Sequence, residues 1–211
     1  MKKLSIVFLW GVSTVFSIAT AYAAEVSVKN AGFAPANIWY SQDPFFGGDK
    51  IRIYTVVFNG SIEDIVGTVE FLNNGAVIGT TDFSLASGGR ARDAWVDWTA
   101  EAGKHTITAR IVKVSAIGKD GKKRSITLVN TETGRIERVV DFDTDGDNTG
   151  DTEDLDDDGD SITDIDEIRY GTDPLKKDTN GDGTGDAEEI KQKEVALKEQ
   201  ASTTETLGIV A

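Results

Sequence analysis

Between residues 141 and 189 the chain carries twenty acidic side chains against Arg169, Lys176 and Lys177. Like charges a few ångströms apart repel by about 1 kcal/mol per pair in water and about 4 kcal/mol at an effective dielectric near 20, so such a stretch needs a counter-charge before it can pack. The spacing of the carboxylates says what that counter-charge is. Asp143, Asp145, Asp147, Asp151 and Asp154 fall at positions 1, 3, 5, 9 and 12 of a loop frame. The same frame fits Asp156, Asp158, Asp160, Asp164 and Glu167, and again Asp178, Asn180, Asp182, Asp186 and Glu189. Alternate residues of a tight curl aim short oxygen-bearing side chains at one point, position 7 adds a backbone carbonyl and position 12 closes the shell, which together make the oxygen cage that Ca2+ takes. With no Cys and one His, zinc and copper are poorly served, and magnesium demands a stricter octahedron than flexible loops give.

The curl has its own requirements. Gly146, Gly159 and Gly181 all stand at position 4. Position 6 calls for positive φ, which Gly183 supplies freely, Asn148 tolerates and Ser161 resists, so the third loop is expected to be the best formed although Asn180 leaves it one charge short. The alternative reading is an acidic, disordered, solubilising linker. A single oxygen-only frame occurring three times favours ion cages, whose ordering is then linked to metal binding.

The segments DTDGDNTGD, DDDGDSITDIDE and YGTDPLKKDTNGDGTGDAEE resemble the thrombospondin type 3 repeats of bacterial surface and secreted proteins, over about a quarter of the chain. The resemblance implies an extended, calcium-wrapped stalk or spacer with ligands at the Asp, Asn and Glu positions named above. Two departures stand out: the cysteines of animal versions are missing, and the second and third loops lie further apart than the first and second.

Charge divides the chain. Residues 25–140 carry thirteen acidic and fourteen basic side chains, so the formal net charge of −14 belongs to the acidic stretch alone. Such a surface repels nucleic acid. Met1, Lys2 and Lys3 precede an uncharged apolar run over residues 4–19, and Ala21 and Ala23 flank Tyr22 as an A-x-A cleavage site, so residues 1–23 are expected to be a signal peptide. An uncleaved membrane anchor is the competing reading. Export to the cell surface or medium suits calcium sites of the ~10⁻⁴ to 10⁻³ M class.

Along residues 24–140, short β-rich runs at 26–28, 38–40, 50–58, 66–72, 76–80, 94–98 and 105–112 alternate with Gly, Asn, Asp and Ser turn signals. Ile107, Ala109 and Ile111 alternate with Thr106, Thr108 and Arg110, the period of a strand with one buried face. Asn73, Asn74 and Gly75 predict a tight hairpin. The pattern VEFLNNGAVIGTTDFSL followed by AWVDWTAEAGKHTITARI resembles the immunoglobulin-like adhesion modules of bacterial surface proteins called CARDB. Residues 125–140 either add a last hairpin through Thr133 and Gly134 or lead the chain out of the sandwich. The cluster Lys119, Lys122, Lys123 and Arg124 reads as a solvated turn, or as a contact for the acidic module or an anionic envelope polymer.

The expected architecture is therefore mainly β: an immunoglobulin-like β-sandwich over residues 24–140, an irregular calcium-loop module over 141–189, and a short helix with a frayed tail over 190–211. No catalytic constellation accompanies it. His105 enters an alternating strand with no nucleophile-elbow pattern in the chain, and the Gly-rich pieces at residues 46–48 and 87–89 lack a nucleotide-binding setting. Non-enzymatic adhesion or spacing is the expected role, with a dockerin-like partner-docking module or a carbohydrate-binding accessory piece as alternatives. Trp39, Tyr40, Phe45 and Phe46 around Pro44, and Trp95 and Trp98 on opposite faces of one strand, are core residues of a sandwich or, where exposed, a platform for a glycan.

Overall fold

The computed structural model describes residues 26–35 and 38–208, with side chains described for 27–35 and 38–201; the expected signal peptide lies outside them. Nine strands and two helices follow in order: β1 (Val26–Phe33), β2 (Trp39–Tyr40), β3 (Lys50–Asn59), β4 (Asp64–Asn73), β5 (Ala76–Leu85), β6 (Arg90–Thr99), β7 (Gly103–Ile117), β8 (Lys123–Asn130), β9 (Ile136–Val140), α1 (Asp164–Tyr170) and α2 (Asp186–Gly208). The protein is mainly β, as its alternating sequence predicts.

Two layers form the sandwich. In one, β3 is flanked by β6 along its whole length and by β1 and β2 on its other side. In the other, β4 lies between β5 and β7, and β9 pairs with the start of β7. Strand β8 joins the layers, running parallel to β1 and antiparallel to the end of β7. The period-2 burial puts Ile51, Ile53 and Val57 of β3 and Ala94, Val96 and Trp98 of β6 inside, against Ile65, Val69 and Phe71 of β4 and Ile107, Ala109 and Ile111 of β7. The hairpin between β4 and β5 turns on Asn74 and Gly75, whose φ values of 50° and 84° are the positive ones that a tight turn needs.

Residues 125–140 do not make a hairpin of their own. Because β7 runs for 15 residues, its two ends are available to different partners: Ser115–Ile117 faces β8, and Gly103–Ile107 faces β9. The chain then leaves from Val140. Gly47 N–H donates to Asp141 O at 2.7 Å, and a Cβ at Gly47 would lie 2.9 Å from the Phe142 ring, so a side chain there would collide with the first residues of the acidic stretch. Arg138, ion-paired with Asp43, stacks its guanidinium over Phe45 at 4.7 Å and fixes the same corner. Of the basic cluster, Arg124 pairs with Glu63 and Lys122 with Asp120.

Helix α2 is longer than the short helix expected, continuing to Gly208 through the stretch from Ser202 that composition marks as frayed. Helix α1 has no counterpart among the expected elements. It is seven residues long, capped at its start by Thr163 Oγ1 accepting from Asp166 N–H and ended by Gly171 in the left-handed region. Among the described residues no helix is long and apolar enough to cross a membrane.

Candidate metal centres

Each acidic loop is built from bonds between its carboxylates and its own backbone amides. The position-1 residues Asp143, Asp156 and Asp178 use Oδ2 to accept from the position-6 amides of Asn148, Ser161 and Gly183, at 3.2, 3.0 and 2.9 Å. At position 3, Asp145, Asp158 and Asn180 accept from the position-5 amide at 3.0, 2.9 and 2.8 Å. At position 5, Asp147, Asp160 and Asp182 accept from the position-7 amide at 2.6, 2.8 and 2.8 Å. These bonds require the curl to pass through positive φ at position 6, where Asn148, Ser161 and Gly183 have φ of 75°, 81° and 94°. Ser161 accepts a left-handed conformation that costs an ordinary residue about 1–2 kcal/mol.

The first three acids of a loop converge as the spacing predicts. Asp143, Asp145 and Asp147 offer oxygens within 4.8 Å of one another, and so do Asp156, Asp158 and Asp160; either group could hold a metal ion. Asp178, Asn180 and Asp182 repeat the same bonds, with an amide in place of one carboxylate.

Positions 9 and 12 behave differently from a shared ligand template. Position 9 braces position 2: Asp151 accepts from Thr144 N–H and Oγ1–H at 2.9 and 2.8 Å, Asp164 from Asp157 N–H at 3.0 Å, and Asp186 from Thr179 Oγ1–H at 2.7 Å. At position 12, Asp154 Oδ1 accepts from the amides of Leu155 and Asp156 at 2.6 and 3.1 Å, whereas Glu189 accepts from Asn180 Nδ2 at 2.9 Å and so stays at the third loop's centre.

Glu167 is the exceptional one. It is 0 % exposed, and neither carboxylate oxygen has a hydrogen-bond partner; Asp158, 2 % exposed, has an unpartnered Oδ2 as well. Burial, then the charges of Asp158 and Asp160, push the Glu167 carboxyl up to about 7. The second loop, not the third, is thus the most enclosed. It owes this to its neighbours: Asp145 of the first loop lies against Gly159, where a Cβ would approach its Oδ2 to 2.6 Å. Lys177 Nζ donates to Gly159 O at 3.0 Å, and Ala187 N–H at the start of α2 donates to Asp160 Oδ2 at 3.2 Å.

Both helices begin at a position-9 residue, α1 at Asp164 and α2 at Asp186. The signal for α1 lies in the Thr163-x-x-Asp166 cap and in Gly171, hidden by the density of ligand-type residues around it. Elsewhere His105 is a buried sandwich residue. Its Nε2 bonds Glu101 O at 2.7 Å, its Nδ1 lies 2.9 Å from Asn73 Nδ2, and its ring meets Trp98 edge-on. Phe45 is buried, while Trp39 is 40 % exposed and stacked on Tyr54 with ring centroids 5.6 Å apart.

No family model matches the chain, and no curated protein matches it in sequence. Among solved structures it is similar to the CARDB domain of the PF1109 protein from Pyrococcus furiosus, a structure in complex with di-metal ions. The identity is 14 %, the alignment covers 45 % of this chain and 81 % of that one, and the TM-score is 0.31, so the fold rests on the strand pairing itself.

Proposed function

We propose that this chain is an exported, non-enzymatic calcium-binding protein in which Ca2+ orders the acidic loops into a spacer, carrying the β-sandwich as an adhesion module. The observation that carries this reading is the Glu167 carboxylate, buried with both oxygens unpartnered beside the unpartnered Oδ2 of Asp158. An ionised carboxylate in such surroundings is strongly unfavourable unless a cation or a proton meets it. The donor set is oxygen throughout, as calcium prefers. Asp156, Asp158, Asp160 and Glu167 would hold one ion, Asp143, Asp145 and Asp147 a second, and Asp178, Asn180, Asp182 and Glu189 a third. The bound ion would supply the positive charge that lets these groups stay ionised where they are packed.

Calorimetry of the full chain with calcium tests the reading. Two or three ions should bind, with an ordering transition reversed by chelator, and Glu167→Gln should remove one ion while the sandwich stays folded. Equal heats from magnesium and calcium would return the stretch to a generic acidic linker. Removal of the leader during export is a separate test, read from the N-terminal sequence of secreted material.

A second reading draws on the two loop–helix units, in which α1 and α2 each start at position 9 of their loop. Paired units of this kind suit a dockerin-like partner-docking module. Calcium-dependent capture of a defined protein receptor would favour it over a spacer. Trp39 also leaves a glycan partner open to trial, and tryptophan fluorescence unchanged across a panel of polysaccharides would count against that partner.

A further inference from the structure

Strand β6 carries two tryptophans on opposite faces of its layer. Trp98 points inward and is buried in the core, whereas Trp95 points outward and is 40 % exposed. The strand registers place Trp95 of β6 opposite Tyr54 of β3, and Tyr54 opposite Trp39 of β2, which is also 40 % exposed. Three aromatic rings thus form one row across three neighbouring strands, on the side of the layer turned away from the sandwich interior. Core packing accounts for Trp98 and leaves these three rings unexplained.

Each tryptophan is held on one side. Trp39 stacks on Tyr54 with ring planes 7° apart. The Arg52 guanidinium lies 3.9 Å over the centre of the Trp95 ring, while Arg52 Nε donates to Asp97 Oδ1 at 2.8 Å. From the other layer, Thr81 Oγ1–H donates to Trp95 O and ties the row's backbone to β5. The row is one ring wide, with Arg52 opposite Asp97 on one side of it and Val56 opposite Asp93 on the other. The charges on this face are mixed: period-2 alternation puts Lys50 and Arg52 of β3 beside Asp93 and Asp97 of β6, two of each sign.

We infer that this row is a binding site for an uncharged, extended polysaccharide, laid across the strands with sugar rings against Trp39 and Trp95. The nonpolar face of a pyranose packs on an aromatic ring, and the charged side chains beside the row can bond its hydroxyls. A protein partner would want a broad apolar centre with its charges kept to the rim, which a strip one ring wide does not offer. An anionic polymer would want an excess of Lys and Arg, which the balanced charges do not supply. The two tryptophans stand two strands apart, about 9–10 Å, close to the repeat of two sugars in an extended β-1,4-linked chain. The inference deepens the adhesion role proposed above for the sandwich, on which it rests, and uses none of the calcium loops.

Depletion isotherms of the full chain on insoluble cellulose and chitin, with immobilised polygalacturonate as the anionic counterpart, test it. The wild type is expected to bind cellulose or chitin and not polygalacturonate, and Trp39→Ala and Trp95→Ala each to weaken that binding about tenfold or more. Val139→Ala, at an exposed apolar residue of the other layer, should bind as the wild type does. Should Trp95→Ala fail to fold by circular dichroism, Trp39→Ala, on the two-residue edge strand, decides on the same isotherm. Undiminished binding in both tryptophan variants would overturn the row while leaving the adhesion role to another surface. A wild type bound by neither neutral glycan would overturn it too; sedimentation would then show whether the row instead pairs two copies of this chain, and binding to isolated cell envelopes would judge the adhesion role on its own.

Discussion

The sandwich and the acidic module solve the same problem of hiding backbone and side chain from water by opposite means. In the sandwich, strands satisfy one another's amides and the interior is apolar, with Phe71, Ile53 and Val57 fully enclosed. In the module, aspartates satisfy the amides of their own loops, and the fully enclosed side chains include Glu167, Asp158 and Asp186. One region is stabilised by what it removes from water; the other arranges acceptors so fully that it gathers unopposed negative charge. The first is therefore held by buried apolar surface, and on the calcium reading proposed above the stability of the second would depend on the ions available to it.

That contrast breaks most sharply in the sandwich core. Phe71→Ala should cost about 3–5 kcal/mol, lowering the sandwich melting midpoint while the calcium isotherm of the module keeps its shape. Next in size is the ion itself: at calcium a hundredfold above its dissociation constant, a site stabilises the module by about 2.7 kcal/mol, and hydrogen exchange should show that protection over residues 141–189 and none over the strands. A uniform gain across both regions would dissolve the distinction. Ser161→Gly relieves a left-handed serine and should stabilise the second loop by about 1 kcal/mol with or without calcium, read from the same exchange rates. Smallest is Arg110→Gln, which removes a surface bond to Glu70 and should shift sandwich stability by about 0.5 kcal/mol or less in a denaturant titration.

The sequence exposes these two regions unequally. Strand alternation reports burial directly, so the pattern alone places Ile107, Ala109 and Ile111 inside, and Asn74 and Gly75 announce their turn. Pairing is harder. Nothing local says that β8 and β9 take different ends of β7, because the length of β7 decides it and its partners are far along the chain. In the module, residue type and a two-residue spacing suffice to bring positions 1, 3 and 5 together. Position 9 reads from the sequence as a ligand of its own cage, and the structure adds that it braces the loop, because the position-2 amide of its own loop lies within hydrogen-bond reach. Glu167 differs from Asp154 and Glu189 through the packing of the neighbouring loops, which no single loop encodes.

The corner where the two regions join turns on a hydrogen atom. Gly47 receives the Phe142 ring where a methyl group would sit 2.9 Å from it, so Phe142 keeps its place only while that position stays bare. An alanine at position 47 would have to displace the ring, without touching a carboxylate or a residue of the sandwich interior. The seat of the departing chain against the strands thus depends in part on a missing side chain, a point that sequence change can alter independently of what either part binds.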